Sequence, residues 1–441
     1  MAEDEKVYRG TGNFHLISDK GEAHPFDSSF TLTIPTTDRP KIEIPSIDFD
    51  IAKKIFEDMH SPHFTLFSMR GRLENGYYIS IDEMGANTPK KFSIFSPIRT
   101  WQEGANPETV QAHYGLANFA FMGCYYFAQD NDRPRLDAFK VTIEGVPIEI
   151  RKNTDYDLIV DRLKKERISH VTSEAICTIP FKARDEWIVN LDQLSWLISL
   201  AACEKIVVLY ADYYDGKELI ASDLYPQIRT PFAGRSPTIP IDRPPCCIKK
   251  FLEAAFPVIN KYQDEIRLKT LIHLAVTSQH PFLTLEEKFL IGIMALESFC
   301  SDTIKILKKN KRQLSLRSVD ISQEKIKKVL DENHIHLDDQ IIKEIASRTA
   351  SNHPDFRDKL RYALEEFSVI FSESDLALIP DRNEIVHNGQ FKRASDPVER
   401  YYELSNLLIR ILLTILNYRG EYINRGPNFP LRELPRKEVD Q

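Results

Sequence analysis

The sequence carries no positive excess with which to meet a polyanion: 58 Lys and Arg stand against 65 Asp and Glu, a formal charge of −7. A chain-wide basic field of the kind that coats nucleic acid is therefore excluded, and any anionic partner has to be met locally. Cysteine is sparse as well. The six (Cys124, Cys177, Cys203, Cys246, Cys247, Cys300) form no CxxC pair and no tandem metal spacing, and in 441 residues they are too few for a disulfide framework. A reducing, cytoplasmic location is the expectation. Only 16 glycines serve the chain, and none lies in a GxxxxGK loop, which removes the P-loop ATPases. No apolar run reaches the roughly 18 residues of a membrane span. The nearest, Leu407 to Leu416, is broken by Arg410 and Thr414. The opening residues, MAEDEKVYRG, are acidic and lack an apolar core, so no signal peptide is expected.

What is present is core material. With 42% hydrophobic and 10% aromatic residues most of the chain is expected to fold, as two or three domains. To about residue 240, short β-branched and aromatic runs such as FTLTIP, KFSIFS, SEAICTIPF and EKIVVLYADYY alternate with Pro, Gly, Asn and Asp clusters, the pattern of strands joined by turns. Glu74-Asn75-Gly76 between two apolar runs marks a hairpin over Leu66 to Ile81. Helices are expected at Ile51 to Met59 and at Leu191 to Cys203, the latter with Leu194, Leu197, Ile198 and Ala201 at helical spacing. Aromatics at Phe119, Phe121, Tyr125, Tyr126 and Phe127 could stack bases, but an aromatic strand in a β core is the commoner arrangement.

Six prolines between Tyr225 and Pro245 then exclude a central strand or long helix, and mark the expected domain boundary. Beyond it the period becomes 3.6. Helices are expected over Ile248 to Thr277 with a kink or break at Pro257, Leu285 to Leu307, Ser322 to Leu330, Asp338 to Ser347, Asp355 to Phe371 and Asp396 to Tyr418. The fold class is α+β: a mainly β region of sandwich-like sheets with a few helices over 1–240, an all-α bundle over 245–425, and a tail over 426–441.

One segment has the residue types of a reactive centre: Ile379-Pro380-Asp381-Arg382-Asn383-Glu384-Ile385-Val386-His387-Asn388-Gly389. Asp381 and Glu384 have the spacing of a capping box, which makes Asp381 the expected N-cap and puts Arg382 in the first turn, where free N–H groups favour an anion. An always-charged planar guanidinium can offset charge building on a phosphodiester. An imidazole that titrates near neutrality can take a proton from a ribose 2′-OH or give one to the leaving 5′-oxygen. The nucleophile then comes from RNA itself, and no metal or cofactor is expected. The bare spacing is weak, since chance gives about one Arg-x4-His in such a chain. A second instance, Arg348 with His353, falls where a helix pattern ends before Pro354 and is read as accidental.

Arg382-Asn383-Glu384-Ile385-Val386-His387, with a long final helix behind it, resembles the RNxxxH signature of the HEPN superfamily. The resemblance spans about residues 245 to 420. It takes in the upstream Phe289 to Phe299 segment, similar to that of the ApeA-like branch of bacterial phage-defence proteins, and the β-rich half matches that branch in layout. It implies a helical bundle that pairs through its motif helices into a composite site in a homodimer, with metal-independent ribonuclease activity on tRNA or other RNA in abortive infection. Carried over, Arg382 orients or stabilises the scissile phosphate, His387 is the general acid/base, and Asn383 hydrogen-bonds within the site or across the dimer. Glu297 becomes the candidate acidic partner of Arg382 or His387, or else a solvated charge on an apolar helix. The β-rich half is the expected seat of a phage-derived trigger. The alternative is a non-catalytic HEPN module that dimerises and binds as a scaffold or sensor.

The basic run Lys305, Lys308, Lys309, Lys311, Arg312 and Arg317 is an ordinary solvated helix end on the first reading and an RNA-backbone track on the second. Residues 1–244 hold 28 basic and 36 acidic residues, and 245–425 hold 27 and 26, so the acidity belongs to the β-rich half. The close pairs His60/His63 and His334/His336 lack cysteine neighbours or helical His-x3-His spacing, and no metal is assigned to them.

Overall fold

The computed structural model describes residues 6–17, 23–34, 40–45, 53, 66–88, 90–124, 137–167, 169–226, 231–243, 247–309, 327, 338, 341–342, 356–388, 390–391 and 396–434. The expected helices at Ile51–Met59, Ser322–Leu330 and Asp338–Ser347 fall almost wholly outside these, as do the Arg348/His353 pair, Tyr125 to Phe127, and both His-rich pairs.

Six strands come first: β1 (Lys6–Ile17), β2 (Ala23–Ile34), β3 (Lys41–Glu43), β4 (Leu66–Leu73), β5 (Tyr78–Thr88) and β6 (Lys91–Ile94). They bond in the order β4-β1-β2-β3-β6-β5, all antiparallel, and β5 pairs back with β4, which closes a barrel. Period-two alternation fills it: Phe30 and Leu32 are buried while Thr31 and Thr33 are not. Phe14, Phe30, Phe67 and Phe92 make its centre, with Phe67 edge-on to Phe92 at 5.1 Å. The β4–β5 hairpin turns at Asn75-Gly76 as expected. Only Gly76 takes the positive φ (+90°), while the Asn75 side chain accepts from the Tyr77 N–H at 3.3 Å.

The remaining strands are β7 (Ile98–Trp101), β8 (Thr109–Ala117), β9 (Ala138–Ile143), β10 (Val146–Lys152), β11 (Val171–Pro180), β12 (Val207–Asp215) and β13 (Glu218–Leu224). β5 also pairs with β7, and the sheet continues β7-β13-β12-β8-β11-β10-β9. The β-rich half is thus a closed barrel continued as an open seven-stranded sheet, in place of a sandwich-like pair of sheets. Helix α1 (Tyr156–Glu166) was not legible in the sequence: only Tyr156, Val160 and Leu163 mark its buried face. Helix α2 (Arg184–Ala202) packs on β11 and β12 through Leu191, Leu194, Leu197, Ile198 and Ala201, all fully buried at the expected helical spacing. Phe119 and Phe121 are core residues, stacked at 4.6 Å, in the stretch just after β8 and not in a strand.

The helical half contains α3 (Cys247–Gln263), α4 (Leu268–Thr277), α5 (Leu285–Lys309), α6 (Phe356–Glu366), α7 (Glu373–Leu376), α8 (Leu378–Asn388) and α9 (Pro397–Ile415). Pro257 neither ends nor breaks α3. The chain turns later, at Arg267 with φ +48°, because Phe256 and Ile259 on either side of the proline are buried and their packing outweighs one lost backbone hydrogen bond. Helix α5 touches α4, α6, α8 and α9. Gly292 lets α9 approach, since a Cβ there would lie 2.8 Å from Leu404 Cδ2. Asp396 caps α9 by accepting from Val398 N and Glu399 N, and Tyr401, Leu404, Leu408, Ile411, Leu412 and Ile415 are buried as their spacing requires.

One core runs from the open sheet through α2 into the bundle, and the barrel holds a separate one. The described part of the proline-rich stretch packs against α2: Ile239 and Ile241 are buried, and the Thr238 and Ile239 N–H groups both donate to Ala201 O. In the expected tail, β15 (Leu431–Glu433) pairs with β14 (Glu421–Ile423), and Ile423 N donates to Thr238 O. Among the described residues no helix is long and apolar enough to cross a membrane. Cys177, Cys203, Cys247 and Cys300 are free and buried, whereas Cys124 is disulfide-bonded, so cysteine count alone does not fix a reducing compartment.

Candidate functional site

Helix α8 begins at Leu378, three residues before Asp381, so Asp381 is not its N-cap and no box is made with Glu384. The capping box forms one helix earlier. Ser372-x-x-Asp375 has the same form, with Ser372 N donating to Asp375 Oδ2 at 2.8 Å and the Ser372 hydroxyl donating to the same oxygen at 3.0 Å. The four residues of α7 and the single residue Ala377 then deliver the chain to Leu378 already coiled. Pro380 costs α8 nothing, since the first-turn N–H groups have no partner within the helix.

Leu378 and Ile385, seven residues apart, are buried and define the packed face of α8. Asp381 and Arg382 fall between them on that same stripe, and each is held by a neighbouring helix. Asp381 Oδ2 accepts from Arg400 Nε of α9 at 2.6 Å. Arg400 also donates to Ala377 O at 2.5 Å and bonds Glu403. Arg382 donates from Nε and Nη2 to Glu297 Oε1 of α5, at 2.9 and 2.6 Å. The side chains of Arg382 and Glu297 are 32% and 39% exposed, so this pair sits at the rim, open to solvent on one side. The Asp381–Arg400 pair, at 13% and 19%, is the more enclosed.

Glu297 owes its place to α5, whose buried stripe of Phe289, Ile293, Leu296, Phe299 and Cys300 sets it on the flank beside α8. Its neighbours continue a polar ridge. Arg267 donates to Ser298 Oγ at 2.9 Å and to Asp302 Oδ2 at 2.7 Å, and Lys305 Nζ meets Asp302 Oδ1 at 3.0 Å. Burial, then the nearby Glu297 carboxylate, pushes the Cys300 thiol well up, so it is protonated and inert.

The structure therefore brings together Arg382 and Glu297, which are 85 residues apart, and puts Asp381 against Arg400. Asn383 and His387 occupy positions on α8 four residues apart, hence on one face by helical geometry, next to the position of Arg382. Their side chains lie outside the described residues. Glu384 is half-buried in the same helix. Of the basic run, Lys305 is well exposed and bonded to Asp302. Lys308 and Lys309 close α5, with side chains outside the described residues, and Lys311, Arg312 and Arg317 lie outside them altogether.

Sequence reasoning missed the two arginines that fix the helix. Arg400 gave no signal. Arg410 did, as the charge interrupting the apolar run of α9: it donates to Ile370 O at 2.8 Å and to Asp375 Oδ1 at 2.5 Å, which locks the α7 cap onto α9. An oriented guanidinium on a solvent-open rim, on the helix that also carries an imidazole, can bind a phosphate oxygen and stabilise charge developing on it. Comparison of the chain with protein-family models, with curated proteins and with solved structures gives no match.

Proposed function

We propose that the chain is a metal-independent endoribonuclease of the HEPN type, acting on tRNA or other cellular RNA in anti-phage defence from the cytoplasm. The observation that supports this reading is the pairing of Arg382 with Glu297, the acidic partner that the HEPN resemblance assigns to α5. Glu297 holds the guanidinium at the rim, and Arg382 takes a non-bridging oxygen of the scissile phosphate. His387 removes the ribose 2′-OH proton, and the 2′-oxygen attacks phosphorus. The bond to the 5′-oxygen breaks and that oxygen is protonated, leaving a 2′,3′-cyclic phosphate and a 5′-hydroxyl. Asn383 hydrogen-bonds within the site or across a homodimer formed through α8, and the β-rich half receives a phage-derived trigger.

A non-catalytic HEPN module remains the second reading. It is favoured by the engagement of both Nε and Nη2 of Arg382 with Glu297, as in an ordinary interhelical ion pair.

The test incubates the full chain with total tRNA in EDTA beside Arg382→Ala and His387→Ala. Loss of a general acid/base costs about 10²- to 10⁴-fold. Cyclic-phosphate ends that both substitutions abolish support the nuclease. Equal, negligible cleavage by all three proteins, with equal toxicity when each is overexpressed, leaves the binding module.

A further inference from the structure

A cavity of about 890 Å³ opens between α2 and α4, with the start of β12 as its floor, and none of the HEPN motif residues lines it. Its volume is in the range of about 300–1,000 Å³ that small-molecule sites occupy. The walls are apolar over much of their area, through Ile188, Val189, Ile206, Val208 and Ile272. The charged groups of the lining are mostly cationic, and they stand beside the neutral polar Ser195, Ser199, Tyr225, Thr270 and Thr277. Lys205, Arg235, Lys269, His273 and His280 face the cavity, against one carboxylate, Asp192.

Asp192 is already engaged. It accepts from Lys269 Nζ at 3.1 Å, and the same ammonium lies 4.1 Å from the centre of the Trp196 ring. Lys205 makes no ion pair with a described residue. Arg235 donates from Nη1 to Val276 O at 2.5 Å, while its buried Nε has no hydrogen-bond partner among the described residues. The acid behind Arg235 is Glu204, which is buried and makes no salt bridge with it. Glu204 Oε2 instead accepts from the Ala233 and Gly234 N–H groups at 3.0 and 3.2 Å. The imidazoles register the resulting field. Burial first, then Lys205 and Lys269, lowers the His273 pKa; burial first, then Arg235 and Lys288, lowers that of His280.

A cavity with apolar walls and three cationic side chains, of which the Lys205 ammonium makes no ion pair among the described residues, is complementary to one class of ligand. We propose that it binds an organic anion, whose apolar body packs between α2 and α4 and whose carboxylate or phosphate lies among Lys205, Arg235 and His273. Such a ligand joins the open sheet to the bundle, since α2 packs on the sheet and α4 on α5. The proposal does not depend on ribonuclease activity.

The full chain is titrated with the aromatic sulfonate 8-anilinonaphthalene-1-sulfonate, followed by dye emission, and the dye is displaced in separate arms by decanoate, AMP, decanol and inorganic phosphate. The decanoate and AMP arms separate an aliphatic from a nucleotide source. Expected is one saturable dye site per chain, displaced by decanoate or AMP at least tenfold more effectively than by decanol or inorganic phosphate. Lys205→Glu is expected to weaken dye binding at least tenfold, and Thr270→Trp, at an exposed position of α4 on the cavity wall, to abolish it, both with an unchanged thermal melt. No saturable site, displacement by neither organic anion, equal displacement by decanol, or binding unaltered in both variants would overturn the proposal.

Discussion

Glu297→Gln separates a site from a mere ion pair. At 32% and 39% exposure the Arg382–Glu297 pair is screened by water, and pairs of this kind contribute about 0–1 kcal/mol. Nε and Nη2 of Arg382 converge on one oxygen, Oε1, and an amide oxygen in the same place still accepts from both. The thermal midpoint is therefore expected to fall by no more than about 2–4 °C. Activity follows a different rule. A guanidinium held by two neutral hydrogen bonds without the opposing charge is less firmly aimed, and a misplacement of about 1 Å at a reacting centre costs on the order of 100-fold. Cleavage of tRNA in EDTA is thus expected to fall roughly 10- to 100-fold in a protein that melts almost normally. Arg382→Lys, which keeps the charge and loses the planar fork, is expected to behave in the same way. Unchanged cleavage would refute the positioning role. A melt lowered by more than about 3 kcal/mol, with activity falling only in proportion to the unfolded fraction, would refute it from the other side.

Three further outcomes follow from the packing. Arg410→Met leaves the Asp375 carboxylate buried without its cation and is expected to destabilise by about 3–5 kcal/mol in urea unfolding, with much of the loss recovered in Arg410→Met/Asp375→Leu. Asp223 is 2% exposed; burial raises its carboxyl from 3.8 to about 6, opposed by Arg184 and Arg99 and by the Tyr213 hydroxyl that donates to it at 3.2 Å. The folded state holds that proton more tightly than the unfolded one, so this group costs nothing below about pH 4, costs progressively more up to about pH 6, and costs on the order of 3 kcal/mol above it. Asp223→Asn is accordingly expected to raise the melting point at pH 7.5 and to leave it nearly unchanged at pH 4, and an equal effect at both would exclude this assignment. Leu197→Ala, at a fully buried position of α2 over the sheet, is expected to cost about 2–5 kcal/mol, and a loss below 1 kcal/mol would show that the layer relaxes around the gap.

Where neighbours are local, the sequence was a good guide. The 3.6 period of α2 and α9 named their buried residues correctly, and Asn75-Gly76 marked its turn. Capping was harder to place, because Ser372-x-x-Asp375 and Asp381-x-x-Glu384 have the same form nine residues apart, and only Leu378 packing against its neighbours decides which is used. Pro257 does not break its helix for a related reason: a proline reports a lost hydrogen bond and says nothing of the side chains packed around it. Barrel closure left no local trace, since β1 reaches β4 across some fifty residues and an alternating strand reads the same in a sandwich and a barrel. The Arg382–Glu297 contact came from family resemblance, since no periodicity links residues on two helices so far apart in the chain. The cavity between α2 and α4 belongs to the same class: its five basic groups come from four separate stretches of sequence, none notably basic.

Strand β5 pairs with β4 along one edge, and along the other with β6 near its C-terminal end and β7 near its N-terminal end. Barrel and sheet therefore have a strand in common, and are joined by a hydrogen-bonded seam, not by a tether. A chain cut after Phe95 would strip β7 of its neighbour and bare a row of unpaired amides on the remaining sheet, a surface prone to edge-to-edge association. The same seam gives rotation of the barrel no free hinge. From β7 the pairing runs on through β13 to β12, which packs against α2, so barrel and cavity wall belong to one continuous hydrogen-bonded and packed body.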